Sequence, residues 1–280
     1  MSDKGFDGLT VAAFENRMGP EMTGLIERYG GRPMVAPALR EVSLEDNREA
    51  LQFSARLLAD QVDMLILMTG VGLDTLVHVL KTVHPLESII EALRRITLVA
   101  RGPKPVAVLK QLGLTPTFTV PEPNTWRDLL KTLDTSCPVL GLRVALQEYG
   151  ATNAELLEEL RERGATITRV PVYRWALPED LSLLRDALGN IASGQVNVLL
   201  ITNAVQVDHV MQVLTKDGRV DQFTQALTRM VVASVGPIAS ERLRQYGWPV
   251  DIEPSHPKMG TLVKETAEQA ATLLNAKRSA

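Results

Sequence analysis

The chain is written twice. Residues 61–80, QVDMLILMTGVGLDTLVHVL, align without a gap on residues 195–214, QVNVLLITNAVQVDHVMQVL, at an offset of 134. Identities fall at Gln61/Gln195, Val62/Val196, Leu65/Leu199, Val71/Val205, Asp74/Asp208, Val79/Val213 and Leu80/Leu214. The same offset sets RGPKPVAVLKQLG (101–113) on VGPIASERLRQYG (235–247), sharing Gly102/Gly236, Pro103/Pro237, Leu109/Leu243, Gln111/Gln245 and Gly113/Gly247. With one residue of slack, LTVAAFENR…RYGGRPMVAPALR (9–40) follows LRVALQEYG…RERGATITRVPVYR (142–174). Matches at one offset over nearly the whole length constrain the fold more than any single motif does: a unit built by one copy is built twice.

Each copy reads as strand then helix, four times over. The apolar runs VAAF, DMLILM, ITLVA, LRVAL, VNVLLI and MVVASV suit strands buried on both faces. Between them, segments such as NAELLEELRERG carry apolar residues at helical spacing and end in glycine. Alternating β and α predicts an α/β fold of two similar domains, each a parallel sheet covered by helices, facing each other across a cleft walled by strand-end loops. Those loops are FENRMGP (14–20), MTGVGL (68–73), VARGPKP (99–105), LQEYGATN (146–153), ITNAVQV (201–207) and ASVGPIAS (233–240). Small residues or prolines ahead of a helix leave first-turn N–H groups without intrahelical partners, which suits an anion.

Composition narrows the anion. A formal net charge of −3 and a pI near 5.9 lack the broad basic surface that nucleic acid demands. The 280 residues contain no apolar run of the ~18 needed to span a bilayer, and MSDKGFDGLT lacks the basic-then-apolar order of a signal peptide. The expectation is a cytoplasmic protein with no nucleic-acid or membrane partner. The single cysteine, Cys137, excludes an internal disulfide and a cysteine-rich zinc site, and reads as a buried small residue.

The motifs are informative by what they lack. TGVG has neither the full GxGxxG spacing nor a suitably placed acidic residue for a ribose, and no GxxxxGK[ST] occurs. Gly70 and Gly72 either open the backbone to an anion or only permit a tight turn. His78, His84, His209 and His256 show no metal-ligand spacing and read as surface or satisfied structural histidines. Without a GxSxG elbow either, two α/β lobes point to catalysis by positioning or to binding without catalysis. The best polar candidate is Tyr173 in RVPVYRW, placed at the end of its copy's second strand. It is either a phenol donor to a leaving hydroxyl or a core tyrosine with a bonded hydroxyl.

Taken in order, TGVG with its helix, RGPKP, YGATN, PVYRW, NAVQV and SVGPIASERLRQYG resemble the uroporphyrinogen-III synthases of bacteria over residues 9–275. The resemblance implies a cofactor-free and metal-free lyase that cyclises hydroxymethylbilane to uroporphyrinogen III, with loss of water and inversion of ring D. It further implies swapped segments, with residues 1–40 and 175–280 in one domain and 41–174 in the other, joined by a two-stranded connection through 38–42 and 173–177. The expected form is a monomer, whose partners are the bilane and, as a candidate, the enzyme that makes it. Tyr173 matches the tyrosine assigned to departure of the hydroxyl. Thr69, Gly70, Val71 and Gly72, with Asn203, Ala204 and Val205, match two carboxylate-holding turns. Arg17 matches a basic position after the first strand, while Arg101 and Lys104 lie in the RGPKP loop, and all three are open to a second reading as solvated surface charges. Tyr149, Gly150, Gly236 and Ser240 complete the implied substrate contacts. One departure stands out: Ala239 occupies a position where many members carry threonine. The competing class is a non-catalytic two-domain tetrapyrrole-binding or regulatory protein that kept the fold and lost the reaction.

Overall fold

The computed structural model describes residues 5–44, 47–148, 150 and 152–279. In chain order the elements are β1 (Thr10–Ala13), α1 (Gly19–Arg28), β2 (Arg32–Val35), β3 (Arg40–Ser43), α2 (Arg48–Leu58), β4 (Met64–Leu67), α3 (Gly70–Leu80), α4 (Leu86–Arg94), β5 (Thr97–Ala100), α5 (Pro103–Gln111), β6 (Phe118–Thr119) and α6 (Trp126–Ser136). They continue as β7 (Arg143–Gln147), α7 (Ala154–Glu162), β8 (Thr166–Val170), β9 (Tyr173–Ala176), α8 (Ser182–Ala192), β10 (Val198–Ile201), α9 (Ala204–Asp217), α10 (Val220–Leu227), β11 (Val231–Ser234), α11 (Pro237–Gln245) and α12 (Met259–Ser279). The bounds of β4 and β10, of β5 and β11, and of α5 and α11 each lie 134 residues apart.

The chain divides into two compact units, one ending at Arg40 and resuming at Ala176, the other running from Glu41 to Trp175. The first holds a parallel sheet in the order β11-β10-β1-β2, the second a parallel sheet in the order β6-β5-β4-β7-β8. The fold is therefore α/β in two units, as the alternation predicts. In both sheets a strand from one copy pairs with strands from the other: β1 lies beside β10, and β7 beside β4. β3 pairs with β9 in a separate two-stranded sheet.

Both sheets bury two faces because strand side chains alternate. In β10, Val198 and Leu200 join the cluster of Met22, Ile26 and Leu262, whereas Leu199 and Ile201 join that of Phe223, Leu243 and Trp248. In β4, Leu65 and Leu67 pack with Phe53 and Leu109, and Met64 and Ile66 with Leu129 and Leu160. All eight strand side chains are fully buried, which is why these strands read as continuous apolar runs.

Three details differ from the simple fourfold alternation. β3, β6 and β9 are additional strands, α6 and α12 are additional helices, and the third helix of each copy is two helices. Extended Pro85 separates α3 from α4, while Gly218, at φ +68°, ends α9 ahead of α10. Tyr173 does not end the second strand of its copy but opens β9: Pro171, lacking an N–H, stands between β8 and β9 and closes the ladder to β7. Cys137 is half-buried rather than buried, and burial pushes its thiol up. Among the described residues no helix is long and apolar enough to cross a membrane.

Candidate functional site

In the second unit, predicted residues gather at the turn after β4. Thr69 takes the extended N-cap conformation of α3, and its Oγ1 accepts the Gly72 N–H at 3.0 Å. The N–H groups of Met68 and Thr69 both donate, at 3.2 Å, to Oε1 of Gln147, a fully buried side chain at the end of β7. The Gln147 Nε2 in turn donates to the Glu148 carbonyl. This amide explains Gly72, because a Cβ there would lie 1.9 Å from Gln147 Nε2. A Cβ on Gly70 would lie 2.8 Å from the Lys104 carbonyl oxygen, so that glycine lets α3 approach the first turn of α5. Both glycines answer to space, since neither has a left-handed φ. With Thr69, Gln147 and the Thr69 carbonyl satisfying the neighbouring donors, Gly70 and Val71 keep the first-turn N–H groups of α3 that have no protein acceptor among the described residues.

Tyr173 adjoins this turn. Its hydroxyl lies 3.4 Å from Thr69 Oγ1, while its buried ring packs edge-on against Trp175 at a centroid distance of 5.4 Å. The ring belongs to the core and the hydroxyl reaches the turn. Trp175 covers Gly150, which has φ +70° and no room for a Cβ, since one would lie 2.2 Å from the indole. The Gly150 carbonyl accepts the Trp175 N–H at 2.8 Å. Tyr149 lies outside the described residues.

The RGPKP loop offers little backbone. Pro103 and Pro105 remove two N–H groups from the first turn of α5, leaving the half-buried Arg101 and the exposed Lys104 as its cationic side chains. Beside β7, Glu148 is gripped by the Arg169 guanidinium through two bonds of 2.9 Å, and the carboxylate pushes the Arg169 pKa further up.

The first unit has a turn of the same architecture after β10, built from different residues. Asn203 caps α9 and accepts the Val205 N–H at 2.9 Å. Oε1 of Gln206 accepts the N–H groups of Thr202 and Asn203 at 3.0 and 3.2 Å. These are the positions of Met68 and Thr69 shifted by the repeat offset, and Gln206 is the position of Gly72. One amide therefore satisfies the same pair of N–H groups in both units, arriving from the neighbouring strand in one and from the helix itself in the other. Ala204 keeps its N–H without a protein acceptor among the described residues. Thr202 Oγ1 and Gln206 Nε2 both donate to Oε1 of the half-buried Glu15, just past β1.

At the turn after β11, Gly236 precedes α11, whose first residue is Pro237. Ser240 is fully buried and donates its hydroxyl to Glu253, and Ala239 packs into the core. Arg17 is exposed in the turn between β1 and α1. Thr69, Gly70, Val71, Gly72, Lys104 and Tyr173 thus gather in the second unit, and Asn203, Ala204 and Val205 in the first. Sequence reasoning missed Gln147, Gln206, Glu15, Thr202 and Glu148. The N-x-x-Q spacing of Asn203 and Gln206 is a legible capping box, whereas the role of Gln147 depends on a strand far away in sequence.

The chain is similar to known proteins over most of its length. The family model for uroporphyrinogen-III synthase HemD matches residues 20–264. The Bacillus subtilis protein YjjA is 28% identical over 267 residues, 95% of this chain and 97% of that protein. A mutant uroporphyrinogen III synthase from the extremely thermophilic bacterium Thermus thermophilus superposes with a TM-score of 0.71 at 26% identity, over 95% of this chain and all of that one. The wild-type enzyme in another crystal form gives 0.56 at the same identity, over 98% of this chain and all of that one.

Proposed function

Because the chain belongs to the uroporphyrinogen-III synthase family of tetrapyrrole biosynthesis, we propose that it is itself a synthase, converting hydroxymethylbilane to uroporphyrinogen III. The observation that carries the reading is the Tyr173 hydroxyl, 3.4 Å from the Thr69 cap and beside the open N–H groups of Gly70 and Val71. A phenol hydroxyl adjoins an anion receiver.

The substrate carries acetate and propionate groups, so backbone N–H groups at helix N-termini can hold it without neutralising it fully. In this reading Gly70 and Val71 are the backbone carboxylate receivers of the second unit, with Arg101 and Lys104 as its cationic ones, and Ala204 is the backbone receiver of the first unit, with Arg17 as its cationic one. The chemistry begins when the C–O bond of the ring A hydroxymethyl group breaks. The oxygen keeps the electron pair, takes a proton and leaves as water; the pyrrole lone pair forms the exocyclic double bond of the azafulvene. Ring D then attacks through its substituted carbon, and fragmentation of the spiro intermediate and reclosure leave that ring inverted. Tyr173 supplies the proton to the departing oxygen. The bilane closes unaided to the type I isomer, so selecting one folded conformer does most of the work.

The test is isomer identity. Purified protein given hydroxymethylbilane is expected to yield mostly uroporphyrinogen III, and accumulation of the type I isomer at the unassisted rate overturns the reading. The same result would favour a binding protein that has lost the reaction.

A further inference from the structure

The two units place a glutamate at the same point of their sheets and treat it differently. In register, Ala13 stands to Leu200 and Val35 as Leu146 stands to Ile66 and Arg169. Glu15, two residues after Ala13, therefore corresponds to Glu148, two residues after Leu146. Glu148 is neutralised by Arg169. The position of Arg169 is Val35 in the first unit, and among the described residues no cation pairs with Glu15.

What Glu15 has instead is orientation. Thr202 Oγ1 and Gln206 Nε2 both donate to Oε1, and Gln206 is itself fixed by two backbone N–H groups. The carboxylate is held by neutral dipoles and has Oε2 unbonded to protein among the described residues. It stands directly beside the Thr202–Asn203 turn, half-buried, where water screens it less than at an open surface. A fold needing only a polar filler here has no use for a charge without a counter-ion, because desolvating one is unfavourable.

We infer that Glu15 is a catalytic residue of the proposed reaction, whose Oε2 accepts the N–H of the pyrrole that becomes cationic as the hydroxymethyl group departs. The inference rests on the synthase reading. As the C–O bond breaks, the oxygen keeps the electron pair, takes a proton and leaves as water, and the pyrrole nitrogen feeds its lone pair into the new exocyclic double bond. Positive charge develops on the N–H, which the carboxylate meets without taking the proton. This charge is greater in the transition state than in the bound bilane, so the interaction acts on kcat.

Glu15→Gln keeps an oxygen for Thr202 and Gln206 while removing the charge. It is expected to lower kcat about 100-fold, to leave KM within about twofold, and to leave the unfolding midpoint unchanged. Affinity for the product, which carries carboxylates but no cationic pyrrole, should stay level or rise. Glu15→Asp retains the charge with a shorter reach and should recover part of the rate. A Glu15→Gln variant with undiminished kcat, or a Glu15→Asp variant no faster than Glu15→Gln, overturns the assignment of Glu15 while leaving the synthase reading intact. Wild-type protein that produces only the type I isomer overturns the synthase reading, and is seen before any variant is made.

Discussion

Gly72→Ala should destabilise the second unit, and whether it does so depends on Gln147. The new methyl would lie 1.9 Å from Gln147 Nε2, so the amide must leave its place. Its departure strips the acceptor from the Met68 and Thr69 N–H groups. An orphaned buried donor costs about 1–3 kcal/mol, so two such groups, one of them less buried, put the expected loss at about 2–4 kcal/mol. In a Gln147→Ala background those bonds are already gone and the space is open. There the same Gly72→Ala change should be neutral or stabilise by about 0.5–1 kcal/mol, the usual preference for alanine over glycine within a helix. The double-mutant cycle thus predicts a change of sign. A third variant, Gly72→Gln with Gln147→Ala, transplants the arrangement of Gln206 and should restore most of the loss. Urea unfolding followed by tryptophan fluorescence reads this out in a Trp248→Phe background, where only Trp126 and Trp175 remain, both in the second unit. An equal cost for Gly72→Ala with and without Gln147 would refute the account.

Other outcomes follow from the same geometry. Tyr173→Phe should slow turnover of hydroxymethylbilane by about 100-fold while leaving product affinity within a few-fold; unchanged turnover would make the tyrosine purely structural. Gly150→Ala forces a side chain into the Trp175 ring at a left-handed φ, and a thermal melt should show a loss of about 2 kcal/mol or more. The Arg143 guanidinium, bonded to both carboxylate oxygens, holds the Asp63 pKa down to about 2. A depressed folded-state value makes the contribution complete above about pH 4 and lost as pH falls toward 2. With both partners a third or more exposed, it is worth under about 1 kcal/mol, and Asp63→Asn should flatten the stability profile in that window only.

How much of this is legible in the sequence depends on the distance over which each cause acts. Strand-forming runs and the bounds of the repeated elements follow from local apolar pattern, and they stand clear in the sequence. Gly72 shows the opposite case. A glycine there suggests an anion loop, yet the reason for it is the side chain of Gln147, a residue that no local pattern ties to it. The loops also promise more free N–H groups than they hold: caps, glutamine amides and the prolines of α5 remove most of those donors. Tyr173 stands out first by its place near a strand end, and the resemblance then gives it a role. Glu15 stays hidden because a carboxylate after a strand looks like any surface charge until its missing counter-ion is seen beside the Arg169 of the other copy.

The pairing of β1 with β10 sets the order in which the protein can be finished as it is made. The second unit is one continuous stretch and can close while the rest of the chain is still being synthesised. The first 40 residues belong to the other sheet, and their central neighbour, Val198–Ile201, emerges much later. Until then β1 offers a bare and mostly apolar edge. A ribosome that pauses between Trp175 and Val198 would hold a completed unit tethered to a β1–β2 pair with one edge of β1 open, and such an edge is what chaperones bind and what aggregates recruit.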